Sequence, residues 1–556
     1  MIDIFAGPGG LGEGFSSADA SCKFDIRLSI EKDEIAHQTL KLLSFLRSFG
    51  RGNYPDEYYR YVKDPDFTLE QLFEGYPERA EQAEREAWNA ELGKVEPSEL
   101  HERIVEALGD NSEHWVLLGG PPCQAYSLVG RSRITGLGYE SQGLTDEERE
   151  KRRQEKLEEF SKDERHTLYQ EYLRIVAVHS PTVFVMENVK GILSSKHSEQ
   201  PIFERIIKDL RDPWSAIDSD KQLRNDNDLE SRKPSVRHGY RLFSFVKTCA
   251  PEEADQLEPR DFIIRAEDHG IPQNRHRVII LGIRDDFYVP PGTLSKDSEP
   301  CKVEDALNNL PALRSGLSKE KDSHEKWSSL IKSAYKKQEL ESLEPEVRNV
   351  LEGALERLNN AQNRGGRFIE CDLDWDDSEF HDWISDTKLG GVLQHETRGH
   401  MTSDLSRYLY VSSYGAARGH SPKVDEFPTW LLPEHKNVHA AREKGQNKSV
   451  HFRDRFKVQV GSQPSGTITS HISKDGHYYI HPDPEQCRSL TVREAARLQT
   501  FPDNYFFEGN RTQQYHQIGN AVPPLLAKKL ADIVADVIEK CIEQDCDQKK
   551  RKSAAG

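Results

Sequence analysis

The run VLLGGPPCQAYSLVGR, residues 116 to 131, places a thiol where a thiol could act. Val116 to Leu118 has the character of a short buried strand and is broken by Gly119 and Gly120. Pro121 and Pro122 then fix φ and stiffen the backbone just before Cys123. A sulfur on a rigid turn past the carboxyl end of a strand stands where open α/β sheets bind ligands. Alone, such a cysteine is more often a small core residue than a nucleophile, so its chemistry depends on what converges with it.

Three further stretches carry groups that could converge. PTVFVMENVKG, residues 181 to 191, is an apolar strand ending in Glu187 and Asn188. Desolvation there favours a protonated carboxyl, able to hold or deliver a proton; the bland reading is a cap on the next turn. QNRHRVIILGI, residues 273 to 283, spaces Gln273, Arg275 and Arg277 by two, which puts them on one face of an extended chain. Two guanidinium groups aimed together suit an anion or a base carbonyl, although a lone pair of this kind is usually a solvated strand end. DIFAGPGGLGEGF, residues 3 to 15, reads as strand, glycine turn and helix start, and Gly7, Gly9 and Gly12 fit GxGxxG. FDIRLSIE follows and ends in Glu31, at the spacing of a carboxylate that grips ribose hydroxyls. That pair indicates an adenosine-containing cofactor and leaves NAD, FAD and S-adenosylmethionine open.

These groups need a scaffold. At 556 residues the chain is too long for one compact core. Residues 1 to 289 are expected to form one sheet-based domain with charged helical insertions near 44–115 and 140–165. Leu168, Tyr172, Ile175 and Val176 mark a helix over 166–179, and 193–260 reads as a polar surface excursion. SLVGRSRITGLGYESQGL, with Arg131 and Arg133, reads as a loop able to close over a substrate and touch phosphates. Residues 290 to 485 change texture and hold nine histidines between His395 and His481. Within them Arg442, Lys444, Lys448, Arg453, Arg455 and Lys457, interleaved with Phe452 and Phe456, suggest a DNA-facing patch. Residues 486 to 545 return to regular structure, with a capping box of Thr491 and Glu494 and a helix running to about Thr500. The tail from 546 to 556 is expected to be disordered.

The net charge of −18 argues against an overall nucleic-acid-binding coat but not against a basic cleft. No apolar run approaches the about 20 residues of a membrane span, and no signal peptide is evident, so a cytoplasmic protein is expected. Eight cysteines without CxxC pairs indicate neither a disulfide framework nor a zinc cluster, and no metal is assigned.

Taken together, FAGPGG, PCQ, ENV, QNRHR, REAARLQTFP and GNAVPP, in this order, resemble the DNA (cytosine-5)-methyltransferase family. The resemblance covers about half the chain and implies a doubly wound, mostly parallel α/β sheet with a smaller, irregular target-recognition domain. It implies S-adenosylmethionine as cofactor, bound by Phe5, Ala6, Gly7, Gly9, Gly10, Leu11, Glu31, Pro121, Asn520 and Ala521. The acidic residue that usually follows the third strand is obscured here, with Asp110 as candidate. The resemblance makes Cys123 a nucleophile at cytosine carbon 6, Glu187 the partner of N3 and Arg277 that of O2, with Arg275 in support. Gln124, Ser127, Arg131, Arg133, Gln273, Arg453 and Arg455 become the candidates for contact with double-stranded DNA. A bacterial modification or phage-defence enzyme, acting as a monomer and with any nuclease supplied by other subunits, is the simplest setting. Methylation of tRNA and a catalytically dead DNA-binding regulator are the alternatives. The first normally carries a Cys-Phe-Thr signature absent here, and the second typically loses the cysteine or glutamate that this chain retains.

Overall fold

The computed structural model describes residues 1–20, 22–109, 113–122, 165–197, 200–219, 236–358, 362–423, 426–433 and 455–555. Strands β1 (Ile2–Ile4), β2 (Leu28–Glu31), β3 (Ala87–Asn89), β4 (Val116–Gly119) and β5 (Val183–Val189) run parallel. β6 (Tyr240–Phe243), β7 (Ile263–Arg265) and β8 (His276–Arg284) complete the sheet in antiparallel fashion. The order is β3-β2-β1-β4-β5-β8-β6, with β7 also on β8.

Successive residues alternate between two cores, as the pleat requires. Val116, Leu118, Val183, Val185, Ile279 and Leu281 enter one core; Leu117, Phe184, Met186, Val278 and Ile280 enter the other. Helix α1 (Gly10–Ser16) and α2 (Glu34–Arg47) contribute Leu11, Phe15 and Leu43 to the first core. Helix α3 (Pro97–Leu108) and α4 (Arg165–His179) cover the opposite face through Leu100, Ile104, Tyr172 and Val176. Helices on both faces of a mixed, mostly parallel sheet make a doubly wound α/β fold.

Several segments depart from their sequence reading. The stretch 44–115 contributes the sheet-edge strand β3, and 193–260 contributes β6, so neither is wholly an excursion from the core. A separate core, away from the two on the sheet, uses Trp327, Leu351, Tyr408, Phe427, Phe456 and Ile480, from elements that include α5 (Thr402–Arg418). Yet Leu294, Val303, Leu307, Phe380, Trp383 and Val392, all inside 290–485, pack in the sheet's own core. Phe456 is 2% exposed, which removes it from any DNA-facing surface. The hairpin β9 (Gly365–Glu370) and β10 (Gly391–Glu396) leans on the helix Asp56–Lys63, where Arg367 Nη2 reaches the Tyr61 carbonyl at 2.8 Å.

Helix α6 (Val492–Leu498) is buried at every residue, including Arg493, Glu494 and Arg497. Buried charges of this kind persist only when paired. Arg488 donates to both Glu494 oxygens at 2.7 and 2.6 Å, and Arg497 to both Asp503 oxygens at 2.9 and 2.7 Å. Arg493 donates instead to the carbonyls of Leu393, Pro502 and Tyr505. Thr491 and Glu494 form the capping box, and the helix stops at Leu498, short of Thr500. Helix α7 (Arg511–Asn520) and α8 (Pro524–Ala555) follow, so the tail continues a helix through Ala555. Among the described residues no helix is long and apolar enough to cross a membrane.

Three histidines are buried beside this network. His395 contacts Thr491 Oγ1 at 2.8 Å and the Pro311 carbonyl at 2.9 Å. Burial pushes His395 and His481 down to about 4 and His400 to about 3, below the ordinary 6.5. Between those values the unfolded chain binds protons that the folded chain does not, so stability rises with pH there and is lost on acidification. Urea unfolding followed from about pH 7 to about pH 4.5 should show a loss of about 2–3 kcal/mol from His395 alone. His395→Gln should flatten the profile by that amount, and equal slopes in the two proteins would contradict the assignment.

Candidate active site

The carboxyl ends of β1 to β5 open into one cavity of about 370 Å³, within the size range of small-molecule sites. The glycine turn supplies Phe5, Ala6, Gly7, Pro8, Gly10 and Leu11 to its wall. Phe5, Gly7 and Gly9 all have left-handed backbone, with φ of 57°, 58° and 92°. Glycine tolerates this freely, whereas Phe5 stores strain. A Cβ on Gly10 would stand 2.4 Å from the Val522 carbonyl, so only glycine lets the GNAVPP segment close on the turn. Gly9 sits between the wall residues Pro8 and Gly10, and the side on which a Cβ would stand faces Leu40, Leu43 and Tyr505.

Glu31 is held by two backbone donors: its Oε2 accepts from Gly7 N–H and its Oε1 from Asp33 N–H, each at 2.8 Å. Burial raises its pKa. Both oxygens keep a lone pair for a ligand hydroxyl, so a vicinal diol fits. The wall beyond β3 consists of Ala90, Glu91 and Leu92, a position the sequence reading had sought at Asp110. Asp110 lies outside the described residues. Glu91 pairs with Lys32 and Lys94. Asn520 and Ala521 close the cavity from α7 and the turn after it.

The other end holds the charged groups. A Cβ on Gly120 would stand 2.9 Å from Glu187 Oε2, so the Gly120–Pro122 turn lies directly on that carboxylate. Asn188 Nδ2 donates to the Pro121 carbonyl at 3.3 Å and ties the turn to β5. Arg277 Nε lies 2.9 Å from Glu187 Oε1, close enough for an ion pair but out of line for a hydrogen bond. Burial lowers the Arg277 pKa, with Glu187 opposing. The sequence reading had placed a desolvated carboxyl here without this countercharge.

Two sequence assignments change. Gln273 is fully buried: its Nε2 donates to the Leu498 carbonyl and Gln499 Oε1, and its Oε1 accepts from Ile468 N–H. It has no surface to offer DNA. Arg275, 2% exposed, donates to the carbonyls of Ile468 at 2.8 Å, Gly519 at 3.3 Å and Ala521 at 2.7 Å. It borders the cavity, and both its terminal nitrogens are bonded to backbone while its buried Nε has no hydrogen-bond partner among the described residues, so it clamps these segments together. The spacing of two does put Gln273 and Arg275 on one face, but that face turns inward. Cys123, Gln124, Ser127, Arg131, Arg133 and Arg453 lie outside the described residues, and Arg455 is half-buried at the start of a described segment.

A strand-end cavity with a backbone-held carboxylate beside a glycine turn, and a Glu–Arg pair at its far end, stands where enzymes of the α/β class place their ligand sites. The family model for C-5 cytosine-specific DNA methylase matches residues 89–213 and 261–535. The Type II methyltransferase M.Bpa9945I of Bacillus paralicheniformis is 32% identical over 97% of this chain and 99% of its own. The Type II methyltransferase M.DdeI of Desulfomicrobium norvegicum is 26% identical over 96% of this chain and 88% of its own. The DNA (cytosine-5-)-methyltransferase M.ApeKI of Aeropyrum pernix is 24% identical over 76% of this chain and 81% of its own. The chain belongs to the C-5 cytosine-specific DNA methylase family, enzymes that methylate carbon 5 of cytosine in DNA.

Removing the Arg275 clamp takes a donor from the carbonyls of Ile468 and Gly519, while that of Ala521 keeps Gln499 Nε2 at 3.2 Å. Arg275→Met should lower unfolding free energy by about 2–4 kcal/mol in chemical denaturation. Intact stability with methyl transfer abolished would return Arg275 to a catalytic role.

Proposed function

We propose that this chain transfers a methyl group from S-adenosylmethionine to carbon 5 of a cytosine flipped out of a specific double-stranded DNA site. The observation that carries the reading is the cavity itself: Glu31 and the glycine turn at one end, Glu187, Arg277 and the approach to Cys123 at the other. The residues fit the cofactor in that Glu31 is pre-oriented as a diol acceptor and Gly10 admits the closing segment. Phe5, Ala6, Gly7, Gly10, Leu11, Pro121, Asn520 and Ala521 would hold it.

Carbon 5 of cytosine is too weak a nucleophile to take a methyl group unaided. The Cys123 thiolate adds to carbon 6, forming an S–C bond and pushing the ring electrons toward N3 and carbon 5. Glu187 holds a proton at N3, and Arg277 faces the cytosine O2, so the displaced charge is neutralised. When bound, the cofactor supplies an electrophilic methyl to carbon 5. A base then takes the carbon 5 proton, the C–S electron pair returns to sulfur and Cys123 leaves. A cytosine inside a duplex is out of reach of these groups, which requires flipping.

Residues 1–289 and 486–545 form the catalytic domain in this reading, and the separate core built largely within 290–485 supports a recognition unit, although part of that span packs on the sheet. The names of the type II relatives favour modification of host DNA, with a nuclease from another protein. Gln124, Ser127, Arg131, Arg133, Arg453 and Arg455 remain the proposed DNA contacts. Duplex DNA carrying 5-fluorocytosine should trap a covalent adduct with the wild type but none with Cys123→Ser, whose methyl transfer should fall by several orders of magnitude. Glu187→Gln should keep DNA binding and slow transfer by roughly 10²–10⁴-fold. Methylation of tRNA alone, or DNA binding without an adduct, would overturn the reading. Bisulfite sequencing of DNA from expressing cells reports the target.

A further inference from the structure

The cofactor turn is strained, and its conformation depends on restraints from outside. Within the β1–β2 pair, Ala6 N–H donates to the Ile30 carbonyl at 3.1 Å and Gly7 N–H to Glu31 at 2.8 Å. Among the described residues one more side chain bonds this turn, and it comes from the far end of the chain: the Tyr505 hydroxyl donates to the Pro8 carbonyl. Tyr505 is 2% exposed and does not border the cavity. Its hydroxyl lies 3.5 Å from where a Cβ on Gly9 would stand. The ring is fixed by Phe501 and Phe507, with centroids at 4.6 and 5.0 Å. Its own carbonyl accepts from Arg493 Nη2 at 2.7 Å, and Arg493 Nε reaches the Leu393 carbonyl in β10 at 3.0 Å.

We propose that Tyr505 is a positioning residue for cofactor binding, acting through Pro8 to hold Phe5 and Gly7 in the left-handed conformations that shape the cavity wall. Without the hydroxyl the turn is free to relax its strain at Phe5, and a ligand must restore the bound shape at its own expense. Through Arg493 the same residue is joined to β10, so the turn is seated against the region that follows residue 290.

The inference rests on reading the cavity as an S-adenosylmethionine site. Its test is calorimetric titration of S-adenosylmethionine into the full-length wild type and Tyr505→Phe, which keeps the ring and removes one donor. The variant should bind about three- to tenfold more weakly, the effect of one buried hydrogen bond. Duplex-DNA affinity without cofactor, and the transfer rate at saturating cofactor, should stay within about twofold, so KM rises and kcat does not. An unchanged cofactor Kd overturns the proposal, and so does an equal loss of DNA affinity, which would mark a general structural role. If the variant does not fold, hydrogen exchange on the wild type decides. Cofactor should slow exchange over residues 501–507 together with 3–15, and protection confined to the cavity wall overturns the proposal. A wild type that binds no S-adenosylmethionine overturns the cofactor reading and this inference with it, an outcome distinct from a wild type and variant that bind equally.

Discussion

A single buried guanidinium joins the parts of this molecule that chemistry must keep together. Arg275 leaves the start of β8 and donates to carbonyls of Ile468, Gly519 and Ala521. Those carbonyls belong to the segment 465–468, to the end of α7 and to the turn after it that closes the strand-end cavity. Burial depresses its pKa, with the charge of Arg277 adding to the effect. Three carbonyls on its terminal nitrogens offset part of the cost of desolvating that charge, and the charge of Glu187 opposes the shift. Gln273 repeats the arrangement with a neutral amide, bonding Ile468 N–H on one side and the Leu498 carbonyl on the other. The two side chains stitch residues 465–468 to the approach of β8, where Asn274 N–H also meets the Ser465 carbonyl at 2.8 Å.

The same economy governs α6. Its arginines are inside because each finds a complete set of acceptors, and the helix is as much a wiring block as a packing element. Breaking one partner leaves an uncompensated charge, so such networks specify one arrangement of their neighbours even where an apolar replacement would be equally stable. Close backbone approaches add a second kind of specification. Gly10 against Val522, Gly14 against Pro524 and Gly519 against Thr469 leave no room for a Cβ. These contacts join the turn, α1, α7 and α8 at distances that side chains elsewhere would forbid.

Much of the site was legible because its chemistry demands contiguous residues. The glycine turn, Glu31, the Pro121–Pro122 stop and Glu187 each announce themselves by local pattern, and the cavity gathers them. The capping box of Thr491 and Glu494 was equally local. What failed was non-local. A spacing of two shows that Gln273 and Arg275 share a face but not whether that face meets solvent or another segment almost two hundred residues away. Strands β3 and β6, of three and four residues, lie among charged helical stretches and are too short to show a period of their own. Phe456 looked like part of a basic surface because its neighbours in sequence are charged, while its neighbours in space are Phe427 and His477. Tyr505 could not have been singled out at all, since its role is set by one carbonyl at the opposite end of the chain.

The packing of α8 on α1 has a consequence for the order in which this fold assembles. β1 lies in the middle of the sheet. Yet α1 receives Pro524 and Ala527 against Gly14, and Lys528 pairs with Asp19 across 509 positions. The glycine turn therefore keeps its helix uncovered until a segment 509 positions further along is in place. Contacts of such sequence separation form late and slowly. Until α8 docks, α1 and the glycine turn that it follows lack their outer support, so the cavity wall takes its shape only with the long-range packing.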